Sequence, residues 1–117
     1  HGYAFCFKIW FEGELDDKGW VIDFGCFKRN GVKEWLKNMF DHTTCVADDD
    51  PELELFREMD KRGVIDLRVL PGVGCEKFAE HAFHKADDLV GEMTGGRTYC
   101  VSCEVREHGA NSAIYEG

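Results

Sequence analysis

The sequence has no excess of basic residues, no hydrophobic run long enough to span a membrane, and no repeat or low-complexity tract. Its 14 lysines and arginines are outnumbered by 23 aspartates and glutamates, which gives a formal net charge of -9. Non-specific binding to nucleic acid requires a basic surface, so that class of function is excluded. No run could span a membrane and no secretory leader is visible, so we expect a protein that does not act at a membrane.

Disulfide bonds are not needed to hold this chain together. Its 117 residues, 44% of them hydrophobic, are enough for one domain with its own core, so we expect the six cysteines to be the reduced thiols of a cytoplasmic protein. Cys100 and Cys103 form a C-x-x-C pair within RTYCVSCEV, which has the composition of a strand. Residues three apart on a regular strand point to opposite faces, so we expect these thiols not to share a metal ion.

The hydrophobic pattern predicts an α+β domain. The expected elements are a strand over residues 3–12 that is buried on both faces, a second strand at WVIDF, a helix over 25–40 capped by Asp23, a short helix between Pro51 and Gly63, a brief strand at VIDLRVL, a helix over about 74–91, and two closing strands at RTYCVSCEVRE and SAIYE. Neighbouring strand pairs with helices between them favour an antiparallel sheet with helices on one face. His81 and His84, on the polar side of the long helix, are expected to be exposed rather than metal ligands.

Three short pieces place ionisable groups at the ends of predicted elements, where sites are often built. The first is HGY at residues 1–3. The second is Asp41 followed by His42, because an aspartate can fix the imidazole tautomer for proton transfer; the same pair also serves as a helix C-terminal cap. The third is Glu107, whose carboxylate can accept two N–H bonds from the guanidine-like edge of a heterocycle, or can be an ordinary surface charge.

These pieces belong to an ordered series that spans the chain. The series is HG at 1–2, GWVIDF at 19–24 with Lys28, Asp41-His42, Glu76 with Ala79, and Glu107 with Ala113 and Tyr115. It resembles the 6-pyruvoyl-tetrahydropterin synthase family, whose bacterial branch includes 6-carboxy-5,6,7,8-tetrahydropterin synthase of the queuosine (7-deazapurine) pathway. Each piece is short, but the ordered set is much less expected by chance than any one of them.

The resemblance implies a T-fold: a four-stranded antiparallel sheet with helices on one face, closed into a barrel by a trimer or hexamer whose neighbours share sites. It implies a lyase that acts on 7,8-dihydroneopterin triphosphate and gives 6-carboxy-5,6,7,8-tetrahydropterin or 6-pyruvoyl-tetrahydropterin. In such an enzyme Asp41 and His42 transfer protons, and Glu107 and Glu76 bind the pterin. His1 is a ligand of a zinc cofactor, which polarises the side-chain oxygens of the substrate.

Three features depart from the family pattern. His1 matches the first histidine of the family's HGH motif, so we expect the single domain at residues 1–117 to lack its N-terminal strand, with the cysteine and the histidine that precede this motif. Tyr3 replaces the second histidine, and a neutral phenol is a poor zinc ligand beside imidazole. PGVGCEKFA replaces the usual Pro-Thr-x-Glu-Asn, which predicts an altered pocket, and residues 43–70 carry no family motif. A second hypothesis therefore stays open: a non-catalytic T-fold protein that binds a pterin or purine without zinc.

Overall fold

The computed structural model of the protein describes residues 4–27, 31–107 and 111–117. Its elements in chain order are β1 (Phe5–Gly13), α1 (Phe24–Phe27), α2 (Lys33–Phe40), β2 (Thr44–Ala47), α3 (Leu53–Lys61), β3 (Leu67–Leu70), α4 (Cys75–Thr94), β4 (Thr98–Glu107) and β5 (Asn111–Tyr115). Three residues of the family series, His1, Gly2 and Lys28, lie outside the described residues, as does Tyr3. No helix among the described residues is long and apolar enough to cross a membrane.

The main sheet is antiparallel, in the order β1-β4-β5, and confirms the predicted α+β class. Phe5 at the start of β1 lies opposite Glu107 at the end of β4, and Glu107 lies opposite Asn111 on β5. The described residues contribute three strands to this sheet rather than four. Helix α4 packs across β4 and β5 on one face of the sheet.

The predicted strand at WVIDF is wrong, because this segment connects elements rather than pairing in the sheet. The Thr98 hydroxyl donates a 2.7 Å hydrogen bond to the backbone carbonyl of Val21. Ile22 is buried in the core, and the Asp23 carboxylate accepts a 3.1 Å bond from the Cys26 N–H at the start of α1. The expected Asp23 cap is therefore confirmed, and within the predicted helix over 25–40 the described residues include α1 (Phe24–Phe27) and α2 (Lys33–Phe40).

Helix α4 confirms the long helix predicted from hydrophobic periodicity. Its buried residues are Cys75, Phe78, Ala79, Ala82, Phe83, Ala86 and Val90. The alanines have little side-chain volume, which lets the helix approach the sheet closely. The helix ends at Gly95, whose φ of 62° is a left-handed conformation that glycine adopts without steric cost.

Strand β1 is not buried on both faces, in contrast to the prediction. Its aromatic and aliphatic residues Phe5, Phe7, Ile9 and Phe11 pack against the helices. The alternate residues point to the opposite face, which the described chain leaves uncovered. Trp10 on that face is 45% exposed. One protomer therefore has one buried and one open sheet face.

A bulge in β4 overturns the expectation that Cys100 and Cys103 point to opposite faces. Trp10 pairs with Ser102 but Phe11 pairs with Cys100, so one residue of β4 is left over and the side-chain alternation shifts by one. Both thiols are consequently buried in the core. Burial raises the pKa of each to about 12, which keeps both thiols protonated at neutral pH and makes them poor metal ligands.

Residues 43–70 form a small β-α-β unit of their own. The short strands β2 and β3 pair in parallel, with α3 between them, and β2 had no counterpart in the sequence prediction. Arg68 on β3 joins this unit to α2, because its Nε donates a 3.0 Å bond to the carbonyl of Asn38. Gly63, with a φ of 76°, ends the α3 segment as predicted.

Candidate functional site

A cavity of about 1250 Å³ lies between α2, the start of β1, the β-α-β unit and the start of α4. Asp41 and His42 line it directly after α2 ends, and Glu107 lines it where β4 ends. The sequence resemblance allowed these residues to come from neighbouring protomers, but one chain alone brings them to the same cavity. His42 and Glu107 are 65 positions apart in the sequence. They meet because the end of α2 and the end of β4 lie at the same edge of the domain.

One wall of the cavity is aromatic. Phe5, Phe7, Phe40 and Phe78 line it and contact one another. The ring centroids of Phe40 and Phe78 are 5.0 Å apart, and those of Phe5 and Phe78 are 5.2 Å apart in an edge-to-face arrangement. Aromatic side chains beside a few polar groups are typical of sites for planar ligands. The sequence predicted Phe5 and Phe7 as core residues but not as part of a site.

Glu107 occupies the polar end of this wall. Its carboxylate accepts a 2.9 Å hydrogen bond from the side-chain amide of Asn111, which lies opposite it on β5. The side chain of Glu107 is partly buried and faces the cavity together with Gly74, the residue before α4. A carboxylate in this position can accept N–H bonds from the edge of a ring held against the phenylalanines.

Asp41 and His42 lie in an unusual stretch of backbone. The Asp41 N–H closes α2 by donating to the carbonyl of Lys37, at 2.9 Å. His42 then has a φ of 54°, and among the described residues no other non-glycine residue has a positive φ. Such conformations cost free energy and concentrate at functional sites. The His42 Nε2 is 3.7 Å from Asp41 Oδ1, longer than a hydrogen bond, and the imidazole is 95% exposed.

Two lysines and part of the β-α-β unit complete the cavity lining. Lys33 and Lys37 lie one turn apart on α2, and neither forms an ion pair with the other described residues. Asp50 and Phe56 come from the segment without a family motif. None of these four residues was predicted from the sequence, in which the signal for the lysines is their i,i+4 spacing on the helix that leads to Asp41.

Glu76 lies at the edge of the site rather than in its lining. It is exposed in the first turn of α4, and one of its carboxylate oxygens is 3.5 Å from the place that a Cβ on Gly74 would occupy. An acidic side chain there also stabilises the N-terminus of the helix. Its predicted contact with the pterin stays a prediction, as does the role of His1, which is outside the described residues.

The described residues do not form a zinc site. No group of three or more His, Cys, Asp or Glu side chains in the described ranges is placed to hold a metal ion. The His84 ring packs against the ring of Tyr115, and its Nε2 lies 3.4 Å from the Tyr115 hydroxyl. His42 lies elsewhere, at the cavity. Cys45 lines the cavity, but burial raises the pKa of its thiol and leaves it protonated.

Comparison with known proteins agrees with this architecture. Two structures of 6-pyruvoyltetrahydropterin synthase from Plasmodium vivax, each a variant of a catalytic residue, match with TM-scores of 0.68 and 0.67 at 14% sequence identity, over 100% of this chain and 80% of theirs. At that identity the likeness shows the fold alone, and that fold is the T-fold. A comparison with curated proteins found no match. A sequence model of the family described as 6-pyruvoyl tetrahydropterin synthase matches residues 1–117, and the chain therefore belongs to that family.

Proposed function

We propose that the protein is a lyase that forms a tetrahydropterin from 7,8-dihydroneopterin triphosphate. The observation that carries the proposal is a single cavity lined by Glu107, by the Asp41-His42 pair and by an aromatic wall. Membership of the family supports a tetrahydropterin-synthase type of reaction. The choice of substrate is the further step that we infer here.

Each part of the cavity suits one part of that substrate. The planar pterin lies against the phenylalanines, and its amino and ring N–H groups bind Glu107. The carbon side chain then extends toward His42, whose neutral imidazole can take a proton from it, and the carboxylate of Asp41 stabilises the imidazolium that results. Lys33 and Lys37 can contact the triphosphate, which needs cations in a chain with a net charge of -9.

A direct test is to incubate the protein with 7,8-dihydroneopterin triphosphate, with and without added zinc, and to identify the products by mass spectrometry. A 6-carboxy or 6-pyruvoyl product supports the proposal and also distinguishes the two branches of the family. Absence of turnover at every zinc concentration contradicts it. If the protein shows no turnover but still binds neopterin in the absence of zinc, the non-catalytic binding function that Tyr3 favours becomes the better explanation.

Zinc dependence stays a prediction that rests on the family resemblance and on His1. When bound, zinc would polarise the oxygens of the substrate side chain. Metal analysis of the purified protein, compared with a His1→Ala variant, tests this directly. Stoichiometric zinc that is lost in the variant supports the ligand role, whereas equal zinc contents contradict it. The cytoplasmic location likewise stays a prediction, drawn from the reduced cysteines.

We also infer that the protein assembles through its uncovered sheet face. That face presents Trp10, Tyr99 and Ile114, each of them 45% exposed or more. A ring of protomers would cover these side chains, and a trimer or a hexamer is the assembly that the resemblance implies. Sedimentation tests this: a stable, active monomer at micromolar concentration contradicts the inference.

A further inference from the structure

The β-α-β unit of residues 43–70 carries no family motif, yet it begins directly after His42. Its strands β2 and β3 pair in parallel from Thr44 and Leu67 onward, so the pairing starts two residues beyond the imidazole. Besides the residues that it adds to the cavity lining, the unit forms side-chain hydrogen bonds with the end of α2. Those bonds enclose the turn that contains Asp41 and His42.

The end of α2 has carbonyl groups that need donors from outside the helix. An α-helix leaves its last four carbonyls without an intrahelical partner. The Nε of Arg68, on β3, donates a 3.0 Å bond to the carbonyl of Asn38. The hydroxyl of Thr43, the residue after His42, donates a 2.7 Å bond to the carbonyl of Met39. The unit that follows His42 therefore closes the helix that precedes it, and the positive charge of the arginine suits the negative end of the helix dipole.

Asp66 fixes the orientation of the Arg68 guanidinium. Its Oδ1 accepts a 2.6 Å bond from Nη1 of the arginine, and its Oδ2 accepts a 3.2 Å bond from Nη2. A guanidinium held by a carboxylate through two such bonds keeps a defined geometry. The backbone carbonyl of Asp66 also accepts a 2.8 Å bond from the Thr44 N–H, two residues after His42. Asp66 is therefore bound both to the arginine that holds the helix and to the segment that leaves the turn.

His42 lies between these two restrained segments with a φ of 54°. A left-handed backbone at a non-glycine residue costs free energy and persists only where the surrounding structure enforces it. The imidazole is 95% exposed, so packing of the side chain itself does not set its direction. The backbone on either side must therefore determine where the Cα–Cβ bond of His42 points.

We propose that Arg68 is a positioning residue, which together with Asp66 holds the Asp41-His42 turn in the conformation that directs the imidazole to the cavity. Arg68 does not line the cavity, so it acts through the backbone of α2 rather than through the substrate. The catalytic consequence rests on the proposed function, whereas the restraint of the turn does not. The inference also gives the β-α-β unit a role beyond the residues that it adds to the cavity lining.

Steady-state kinetics with 7,8-dihydroneopterin triphosphate separate positioning from binding. Arg68→Met removes the donors and should lower kcat roughly tenfold to a hundredfold, because a displacement of about 1 Å at a reacting group can cost about a hundredfold in rate. KM should stay within about twofold of the wild type, since the groups that bind the substrate are unchanged. Arg62→Met is the matched control: it removes the same charge from the same unit, but its 2.9 Å bond is to Glu58 on α3, and its side chain is 72% exposed. It should leave kcat unchanged.

Three kinetic results would overturn the proposal. One is a wild-type kcat in folded Arg68→Met, and another is an equal loss of kcat in Arg62→Met. The third is a raised KM with an unchanged kcat, since that result would assign Arg68 to substrate binding. If circular dichroism shows that Arg68→Met is unfolded, Arg68→Lys takes its place. Lysine keeps the charge but lacks the planar fork that reaches Asp66 and Asn38 together, so kcat should fall by about threefold or more, and a wild-type kcat would overturn the proposal.

A second experiment tests the restraint of the turn without any ligand. The Asp41 N–H is bonded to the carbonyl of Lys37, so its hydrogen exchange, measured by NMR, reports how often the end of α2 opens. In the Arg68 variants this amide should exchange roughly tenfold faster. The Cys100 N–H, bonded to Asp87 on α4, is the internal control and should keep its wild-type rate. An unchanged Asp41 rate, or an equal acceleration at Cys100, overturns the proposal. A wild type that does not turn over the triphosphate contradicts the proposed function instead, and the exchange rates then decide the restraint by themselves.

Discussion

Replacing His42 by glycine should make the protein more stable and much less active. His42 follows the C-terminal cap of α2 with a φ of 54°, at a position where helices commonly carry glycine. An imidazole retained at such a position, against a backbone cost, is expected where the side chain has a function. The comparison of His42→Gly with His42→Ala separates the cost of the backbone from the contribution of the imidazole.

The magnitude follows from the backbone alone. A non-glycine residue in the left-handed region lowers the free energy of unfolding by roughly 1–2 kcal/mol. Glycine avoids this cost, but its greater freedom in the unfolded chain lowers the free energy of unfolding by about 0.4–1 kcal/mol. Since the imidazole of His42 is 95% exposed, its removal sacrifices little buried surface. We therefore expect His42→Gly to raise the free energy of unfolding by about 0.5–1 kcal/mol. His42→Ala keeps the strained backbone and should change it by less than about 0.5 kcal/mol.

Urea denaturation and turnover of 7,8-dihydroneopterin triphosphate, measured on the same preparations, check both parts. Both variants should lose roughly a hundredfold to ten-thousandfold in kcat, the usual contribution of a positioned acid–base group, with little change in neopterin affinity. A glycine variant that is less stable than the wild type would show that the imidazole has a structural role. Normal turnover in the folded variants would remove His42 from the proposed mechanism.

Three further predictions concern the cavity and the core. Glu107→Ala should abolish detectable neopterin binding in calorimetry without loss of the fold, because each hydrogen bond to a charged group contributes roughly 1.5–3 kcal/mol; unchanged affinity would reject the role of this carboxylate. Exchanging Lys33 and Lys37 for glutamine should raise KM for the triphosphate substrate by about tenfold or more and leave neopterin affinity unchanged. The same exchange at Lys61, the last residue of α3, is the control and should alter neither quantity. Because burial raises the pKa of Cys103 from 9 to about 12, its contribution to stability is complete below pH 9 and is lost as pH rises toward 12, since the unfolded chain ionises first. In urea denaturation between about pH 8 and 11, Cys103→Ala should therefore lose less stability than the wild type, and parallel curves would contradict this.

The sequence by itself determined the long elements and named three of the residues that line the cavity, Asp41, His42 and Glu107. The helix over about 74–91 is α4, and the apolar positions expected on one side of it are those that contact the sheet. The strand expected over residues 3–12 is likewise β1, although the sequence predicted that both of its faces are buried and the structure buries only one. These predictions succeeded because helical and strand periodicities are local, so a single segment reveals which of its faces is apolar. The roles proposed for Asp41, His42 and Glu107 rest on the order of short motifs, not on periodicity.

Tertiary structure decided what depends on pairing between distant segments. The bulge opposite Trp10 and Phe11 turned Cys100 and Cys103 to the same face, which regular strand alternation cannot indicate. Asp87 on α4 accepts a 2.9 Å bond from the Cys100 N–H there, so the bulge is coupled to the helix packed against it. The cavity likewise exists only because the ends of α2 and β4 meet beside the start of α4. Local periodicity records which face of one element is apolar, but the register of a strand, and which ends lie side by side, depend on partners that are remote in sequence.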